Sequence, residues 1–367
     1  LSRGVSSGPQ MGKDFDLQNE LSGTFHTGPL KHDWLVGSEL YQTDYSAKTY
    51  AASLPALVLT DPVYTGLPGL ARLRSNISTQ AEAASVYFQD YISLFNRFYF
   101  LGGGRYDATT TSSLNKIKEI NTSVSANKFS PRLGILYTAG KTTSLYFNWS
   151  TSFIPTSTSS FNGTPLSPGR SRQIEAGIKQ QLFHEHIQAT VAVYDIRRSN
   201  VATTDPAHPL YSIAVGQQRS RGIEADVAGE ILPGWKAVLS YAYTFANVTR
   251  DNKYPVGSVL AGVAKHTGNV WTTYEFADGT VLHGLGLGLG IRAATRREAT
   301  LPNSFYLPGY FRLDSALWYK FSLHGRPVRV QLNMTNLTNA RIYDTNGTFS
   351  MRAEAPRSAL GSLQVAF

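Results

Sequence analysis

The last sixty residues of the chain alternate between apolar and polar side chains with a period of two. In residues 307–321 one face carries the apolar side chains Phe311, Leu313, Leu317, Tyr319 and Phe321. The alternation resumes in residues 328–335 and again in residues 358–367, which end on Phe367. This period predicts extended strands, because successive side chains of a strand point to opposite faces.

Similar alternating segments recur along the whole chain and predict about fifteen strands, most of them roughly 11 to 17 residues long. A soluble sandwich would explain the alternation but not the length of these segments. An outer-membrane barrel explains both, because its lipid face must be apolar and its lumen polar. The sequence therefore predicts an all-β fold, an antiparallel transmembrane β-barrel.

The predicted connections alternate between short and long. Short ones such as residues 139–141 and 232–234 alternate with long ones such as residues 46–80, 108–127 and 154–171. In transmembrane barrels the turns lie in the periplasm and the long loops lie outside. Because bacterial single-chain barrels have an even number of strands, the odd count leads us to expect further strands on the N-terminal side. Closure by residues 1–13, a partial loop or strand remnant, stays open as an alternative.

Composition narrows the possible functions. The chain of 367 residues has no cysteine, which excludes disulfides, thiolate metal sites and cysteine nucleophiles. The net charge of +9 comes from scattered Lys and Arg, so we predict no nucleic-acid partner and a cationic lumen with loops facing lipopolysaccharide. No apolar run approaches the roughly 20 residues of a membrane helix. The start lacks Met and a leader, so we expect an internal piece or a processed form.

Residues 285–291 alternate glycine with leucine and end on isoleucine. A Gly-x-Gly pattern can mark a phosphate loop, but no helix is predicted to follow, so nucleotide binding is not predicted. One face of this strand is aliphatic and the other is glycine. We expect the glycines to leave room inside the barrel or to let the sheet bend.

Candidate catalytic and metal-binding residues are sparse. His184, Glu185 and His186 have metal-binding side chains, but they fall in a short predicted turn and have no partner cluster. Glu224 and Asp226 are predicted to face the lumen, where such residues serve as hydrogen-bond partners in the wall more often than as general acids. The sequence therefore predicts neither an enzyme nor a protein metal site.

Seven segments in series resemble the TonB-dependent siderophore receptors, and the hydroxamate-type receptors in particular. They are SPRLGILY at 130–137, QIEAGIK at 173–179, RSRGIEA at 219–225, GNVWTTY at 268–274, LPGY at 307–310, NMTNL at 333–337 and the terminal Phe367. The resemblance covers residues 14–367, which it identifies as the C-terminal portion of the receptor barrel. It implies a barrel of 22 strands, of which about 15 are present, with the N-terminal plug and the TonB box absent from this chain.

The resemblance also implies a ligand and partners. The ligand is a ferric siderophore captured by the outer loops, and iron arrives inside it, so no cofactor is expected. Aromatic walls with a few polar groups suit such a ligand. The candidate contacts are Tyr45, Tyr50, Phe153, Phe161, Tyr211, Tyr254, Phe305 and Tyr306, with Arg250, Arg296 and Arg297 supplying charge. The further partners are membrane lipid and lipopolysaccharide, the TonB complex through an N-terminal region, and the barrel assembly machinery, for which Phe367 is the signal.

Two other interpretations stay open at this stage. The tyrosines at strand ends are also explained as girdle residues at the membrane boundary. The protein as a whole is also explained as a passive porin-like channel, or as a surface-binding barrel whose loops hold macromolecules.

Overall fold

The computed structural model describes residues 3–58, 60–61, 63, 66, 71–156, 158–209, 211–345 and 351–366. The strands are β1 (Arg3–Ser7), β2 (Gln10–Thr27), β3 (Leu30–Leu54), β4 (Arg72–Leu94), β5 (Phe98–Asn115), β6 (Ile120–Ala139), β7 (Thr143–Ile154), β8 (Gly169–Leu182), β9 (Ile187–Thr204), β10 (Ser212–Leu232), β11 (Trp235–Arg250), β12 (His266–Glu275), β13 (Leu285–Ala294), β14 (Arg297–Glu298), β15 (Tyr306–Leu307), β16 (Tyr310–Leu323), β17 (Arg326–Thr335), β18 (Tyr343–Thr345), β19 (Met351–Ala353) and β20 (Ser358–Val365). Phe367, the predicted assembly signal, lies outside the described residues.

One antiparallel sheet contains all the long strands. Each strand pairs with its neighbour in sequence, from β3 through β13 to β16, β17 and β20. β1 pairs with residues 50–54 of β3, and β2 pairs with residues 30–47 of the same strand. The two strands therefore share one position at the edge of the sheet. The described strands of this sheet thus occupy fifteen positions, which confirms the predicted number. The hairpins β14–β15 and β18–β19 lie in the connections.

The connections alternate in length as predicted along most of the chain, with two exceptions: the outer connection of residues 116–119 is a short turn, and residues 276–284 at the opposite end form a longer connection than the predicted turn at 278–280. Short turns follow β2, β4, β6, β8 and β10, and three of them contain glycine at positive φ, Gly28, Gly140 and Gly234. His184 and Glu185 lie in another of these turns with positive φ. Within the described part of the chain, no helix is long and apolar enough to cross a bilayer.

Two predicted loops are shorter than expected. Residues 108–127 were predicted to be a long loop, but β5 and β6 continue through them and leave only residues 116–119 as a turn. The loop predicted at residues 46–80 is likewise shorter, because β3 extends to Leu54 and β4 begins at Arg72. The physical reason is that the Thr- and Ser-rich segment around Thr110 and Ser112 has high strand propensity without apolar alternation. Cross-strand hydroxyl pairs, such as Thr110 with Ser125 at 2.9 Å, bind these extensions together.

The two faces of the sheet differ in character. One face is a belt of exposed apolar side chains that includes Leu40, Phe88, Leu133, Phe147 and Leu317. The opposite face carries hydrogen-bonded polar and charged side chains. A wide exposed apolar belt is stable only against lipid, so the first face lies in the membrane and the second lines the lumen.

The lumenal glycines of β13 have a specific role. A Cβ at Gly286 would overlap the indole of Trp318 on β16, and one at Gly288 would lie 2.9 Å from the indole of Trp271 on β12. The glycines leave room for these rings, which cover the bare backbone. The Trp318 indole also reaches past Gly286 and donates a hydrogen bond to Glu275 on β12, at 3.1 Å.

The most completely buried apolar residues lie at the end of the sheet that carries the long connections. Val248, Ala299, Leu307 and Ile342 are each at most 3% exposed there. Asn336, 2% exposed, joins this small core, because its side chain bonds to Ala340 and Ala355 and its backbone donates to Asp314. Residues 295–309 and the described part of residues 336–357 are therefore packed elements rather than loose chain.

Candidate ligand-binding mouth

The outer ends of the strands and the long connections form the mouth of the lumen. The connections between the large strands are residues 55–71, 116–119, 155–168, 205–211, 251–265, 295–309 and 336–357. Hairpins β14–β15 and β18–β19 stiffen two of them. The mouth is therefore a set of partly structured walls above the polar lumen.

An aromatic cluster joins two of these connections. Phe161 stacks on His208 with ring centroids 3.6 Å apart, and Tyr211 meets Phe161 edge to face at 5.1 Å. Asp205 orients His208 through a contact of 3.1 Å between Oδ2 and Nδ1. The backbone N–H of Ala207 and the His208 ring lower the pKa of Asp205, so this carboxylate stays ionised. Phe161 and Tyr211 keep nearly half of their surface exposed, so the cluster offers open aromatic surface to a ligand.

Residues 251–265 begin with a capped turn. Asp251 accepts hydrogen bonds from the hydroxyl of buried Thr203 at 2.6 Å and from the backbone N–H groups of Lys253 and Tyr254 at 2.7 and 3.0 Å. Burial opposes ionisation of Asp251, but these hydrogen bonds outweigh it and lower the pKa of the carboxyl group. The turn fixes the backbone of Tyr254, whose ring lies beneath the Lys253 ammonium at 5.3 Å.

Two arginines of residues 295–309 pack against tyrosines. The guanidinium of Arg296 lies 5.2 Å from the ring of exposed Tyr306. Arg297 is 8% exposed, lies 5.2 Å from the ring of Tyr310 and donates to the carbonyl of Tyr343 at 2.6 Å. Arg297 therefore holds β14 against β18, whereas Arg296 remains at the surface.

Below the mouth, two lumenal arginines face each other across β13 and β16. Arg292 and Arg312 are directly paired in the register, and both approach Glu354 of the last connection, at 3.9 and 3.1 Å. Asp314 also binds Arg312, at 2.8 Å. These carboxylates neutralise the arginine pair and tie the last connection to the lumen wall.

A second polar network lies on the lumenal face of β3, β4 and β5. Arg105 binds Glu39 at 2.8 Å and Asp107 at 2.6 Å, and Ser85 donates to Asp107. Tyr87 and Arg105 help to line a lumenal cavity of about 700 Å³. A cavity of this size and polarity accepts either a ligand or a protein element.

The structure brings some of the predicted contact residues together and separates others. Phe161 meets Tyr211, and Arg296 meets Tyr306, while Phe305 precedes Tyr306 in the same hairpin. Phe153 lies at the end of β7 and lines the lumenal cavity described above. Tyr45 and Tyr50 belong to strand β3, at the opposite part of the sheet from β14 and β15.

His208 is absent from the set of ligand contacts predicted from the sequence. The only local signal was Asp205 three residues earlier. Sequence reasoning also missed the pairing of Arg292 with Arg312, because the register of two strands is not visible in either one alone. Among the described residues, no group of three or more His, Asp or Glu side chains is arranged to hold a metal ion.

A membrane-facing apolar belt, a polar lumen, short turns at one end and packed long connections at the other define a class, the outer-membrane β-barrels. A family model narrows this class, because the "TonB dependent receptor-like, beta-barrel" model matches residues 3–337. The chain belongs to this family, whose members are transport receptors of the outer membrane. This confirms the predicted fold, family and location.

Individual relatives agree with the family match. The chain is 30% identical over 370 residues to the ferrioxamine B receptor of Salmonella typhimurium, covering 100% of this chain and 52% of that protein. It is 30% identical over 350 residues to the ferrichrome outer membrane transporter/phage receptor of Escherichia coli K12, covering 92% and 46%. The chain thus spans about half the length of these curated relatives.

Solved structures show the same fold. The closed form of the ferric-catecholate import receptor Fiu from Escherichia coli K12 superposes with a TM-score of 0.80 at 22% identity, over 98% of this chain and 55% of that one. The siderophore receptor PiuA from Acinetobacter baumannii gives 0.81 at 21% identity, over 97% and 56%. At these identities the likeness establishes the barrel fold alone.

Proposed function

We propose that the complete protein containing this chain takes up ferric siderophores across the outer membrane, energised through TonB. The chain supplies most of the barrel wall and of the mouth, and a plug and the remaining strands complete the receptor. The siderophore itself holds the iron, so the protein needs no metal ligands or cofactor. The named relatives that bind ferrioxamine B and ferrichrome favour a hydroxamate ligand.

The exposed aromatic cluster is the observation that supports this function best. Phe161 and Tyr211 present ring surface at the outer end, and Asp205 and His208 fix their arrangement. A ferric siderophore is a compact complex with an organic shell, which aromatic walls bind through large contact area with little loss of conformational entropy. Surface-exposed Arg296 and Tyr306, between β13 and β16, offer a second aromatic surface with a positive charge.

Further partners follow from the same location. We propose that the aromatic girdle and cationic outer surface contact membrane lipid and lipopolysaccharide, and that the barrel assembly machinery recognises the end of the chain at Phe367.

Ligand binding by the complete purified receptor tests the proposal. Quenching of tryptophan fluorescence is titrated with ferric hydroxamate and ferric catecholate siderophores, using wild type, Phe161→Ala and Tyr211→Ala. Each substitution removes an aromatic contact, so we expect about tenfold weaker binding of the cognate siderophore. Tyr319→Ala is the matched control, because Tyr319 is an exposed girdle residue on the lipid face.

Equal affinities for Phe161→Ala, Tyr211→Ala and wild type would refute the assignment of the cluster. Failure of every siderophore to bind the wild-type receptor, together with a large steady conductance in planar bilayers, would favour a passive channel instead.

A further inference from the structure

The outer half of strand β6 is paired on one side and open on the other. Towards β5, the pairing runs over residues 120–137 without a register shift. Towards β7, it covers only residues 132–139, and its last pair joins Arg132 to Ser150. Among the described strands, none pairs with residues 120–131 on the side of β7. This stretch of β6 is therefore an open sheet edge.

Pro131 explains where the pairing with β7 stops. Its carbonyl accepts a hydrogen bond from the Thr151 hydroxyl of β7 at 3.2 Å, so the odd-numbered residues of β6 direct their backbone groups towards β7. The even-numbered residues face β5, as the Thr138 N–H does when it donates to the Arg97 carbonyl at 2.8 Å. Proline has no N–H, so the ladder with β7 cannot continue through this position. The backbone N–H and C=O groups of the odd-numbered residues from 121 to 129 therefore point into the open edge.

Most of this edge lies outside the hydrocarbon layer. On the outward face of β6 the exposed apolar side chains end at Phe129, and every outward side chain beyond it is polar. About seven further residues at roughly 3.3 Å each, tilted by about 40°, lift the tip of β6 about 18 Å above this boundary. Ser125 and Ser123 each pair with a hydroxyl of β5 at 2.9 Å, which holds the edge against its neighbour.

The edge lacks the usual protection against pairing. Natural sheet edges are blunted by charges, proline, bulges or shortness. Residues 120–127 carry no charge and no proline, pair regularly with β5 and exceed the common strand length of about five or six residues. Just below them the edge meets a cavity of about 770 Å³, whose lining includes Lys128 and, from β9, Arg198. Neither of these two cations forms an ion pair with a described residue, so the cavity favours negative charge.

We propose that this edge binds an extended segment of a protein outside the cell, which adds to the sheet as a further strand beside β6. An acidic side chain of that segment lies in the cavity at Lys128 and Arg198. The occupant is a polypeptide, because a peptide backbone offers N–H and C=O groups at the repeat of the strand itself. Its inward side chains are apolar, since they lie beside Val124, which is 4% exposed, and Ala126. Its outward side chains lie beside the serines and are polar.

Fluorescence anisotropy of a labelled peptide with the complete receptor in detergent tests this proposal. The probe is Glu-Thr-Val-Thr-Val-Thr-Val-Glu, which has alternating faces and acidic ends. Two further probes carry N-methyl groups on three alternate amides each. Only one set of alternate amides faces β6, and each lost backbone hydrogen bond costs roughly a factor of five. Methylation of that set should weaken binding about 100-fold, and methylation of the other set should change it less than about threefold.

Variants of the receptor test the same edge from the other side. Ser125→Pro removes an N–H that points into the edge and should weaken binding of the unmethylated probe at least about fivefold. Ser125→Ala is the matched control, because it keeps this N–H, and it should bind within about twofold of wild type. Lys128→Gln combined with Arg198→Gln should also weaken binding about fivefold. A probe with Gln in place of Glu should not respond to this charge change.

Several results would overturn the proposal. They are equal effects of the two methylated sets, equal affinities of Ser125→Pro and Ser125→Ala, and no saturable binding up to millimolar probe. A dimer of the receptor that forms without probe and is lost in Ser125→Pro would also overturn it, because the occupant would then be a second copy of the chain. Methylation is read on the wild-type receptor, so it decides the outcome even where Ser125→Pro does not fold. Siderophore binding is measured separately, and its absence in wild type would refute the proposed function without touching the edge.

Discussion

The contact between Gly286 and Trp318 gives the sharpest prediction about the barrel wall. The Trp318 indole, 7% exposed, crosses Gly286 on β13 and donates to Glu275 on β12. Gly286→Ala places a methyl group inside the volume of this ring, so the ring must move and its hydrogen bond to Glu275 must lengthen.

Two costs determine the expected size of the effect. Overpacking a closely packed site costs about 1–3 kcal/mol. A hydrogen bond to an ionised group contributes about 1.5–3 kcal/mol, which is reduced here because the Glu275 side chain is 39% exposed and also binds Lys320. Together they predict a loss of about 2–4 kcal/mol in the free energy of unfolding.

Urea unfolding of the complete receptor in detergent, followed by heat-modifiable gel migration, measures this loss. Gly268→Ala is the matched control, because a Cβ at Gly268 meets no atom within 4 Å. Trp318→Leu removes the ring, so the added methyl of Gly286→Ala should cost less than about 1 kcal/mol in that background. Equal unfolding midpoints for Gly286→Ala and Gly268→Ala would refute the role assigned to this glycine.

Three further predictions concern the mouth. Asp251→Ala should raise the hydrogen-exchange rates of the Lys253 and Tyr254 amides about fivefold, since each loses one acceptor; unchanged rates would contradict the capped turn. Because the folded-state pKa of Asp251 is lowered, its stabilising effect should persist above the ordinary pKa near 4 and be lost as the pH falls through the lowered value, which a pH series of the same exchange rates checks. Arg297→Gln should destabilise the packing of β14 on β18 by about 1–3 kcal/mol and speed limited proteolysis, with exposed Arg296→Gln as the control.

The sequence predicted the wall of the barrel well, because the face of the sheet to which a side chain points depends only on its position along the strand. Alternation assigned Leu317 and Tyr319 to the apolar face without knowledge of their neighbours, and both side chains are exposed on the lipid side. The alternation did not predict the Thr- and Ser-rich extensions of β5 and β6, where the apolar–polar pattern stops but strand pairing continues. There the hydroxyl pairs form only after the register is set.

The candidate site was less predictable for the same reason. Phe161 and Tyr211 were chosen for their residue type and position, but His208 enters the cluster only through the fold of two separate connections. The role of the β13 glycines was also not predictable, because the rings that cover them, Trp271 and Trp318, belong to neighbouring strands. The direct pairing of Arg197 with both Arg172 and Arg219 on the neighbouring strands likewise depends on register.

Uptake of iron-55 as a ferric hydroxamate siderophore tests the central claim most directly. Cells carrying the complete gene are compared with and without TonB, and with Phe161→Ala combined with Tyr211→Ala against the girdle control Tyr319→Ala. We expect uptake that requires TonB, falls at least about tenfold in the aromatic double variant at limiting siderophore, and is unchanged in the girdle control. Accumulation that is independent of TonB, or equal uptake by all variants, would contradict the account.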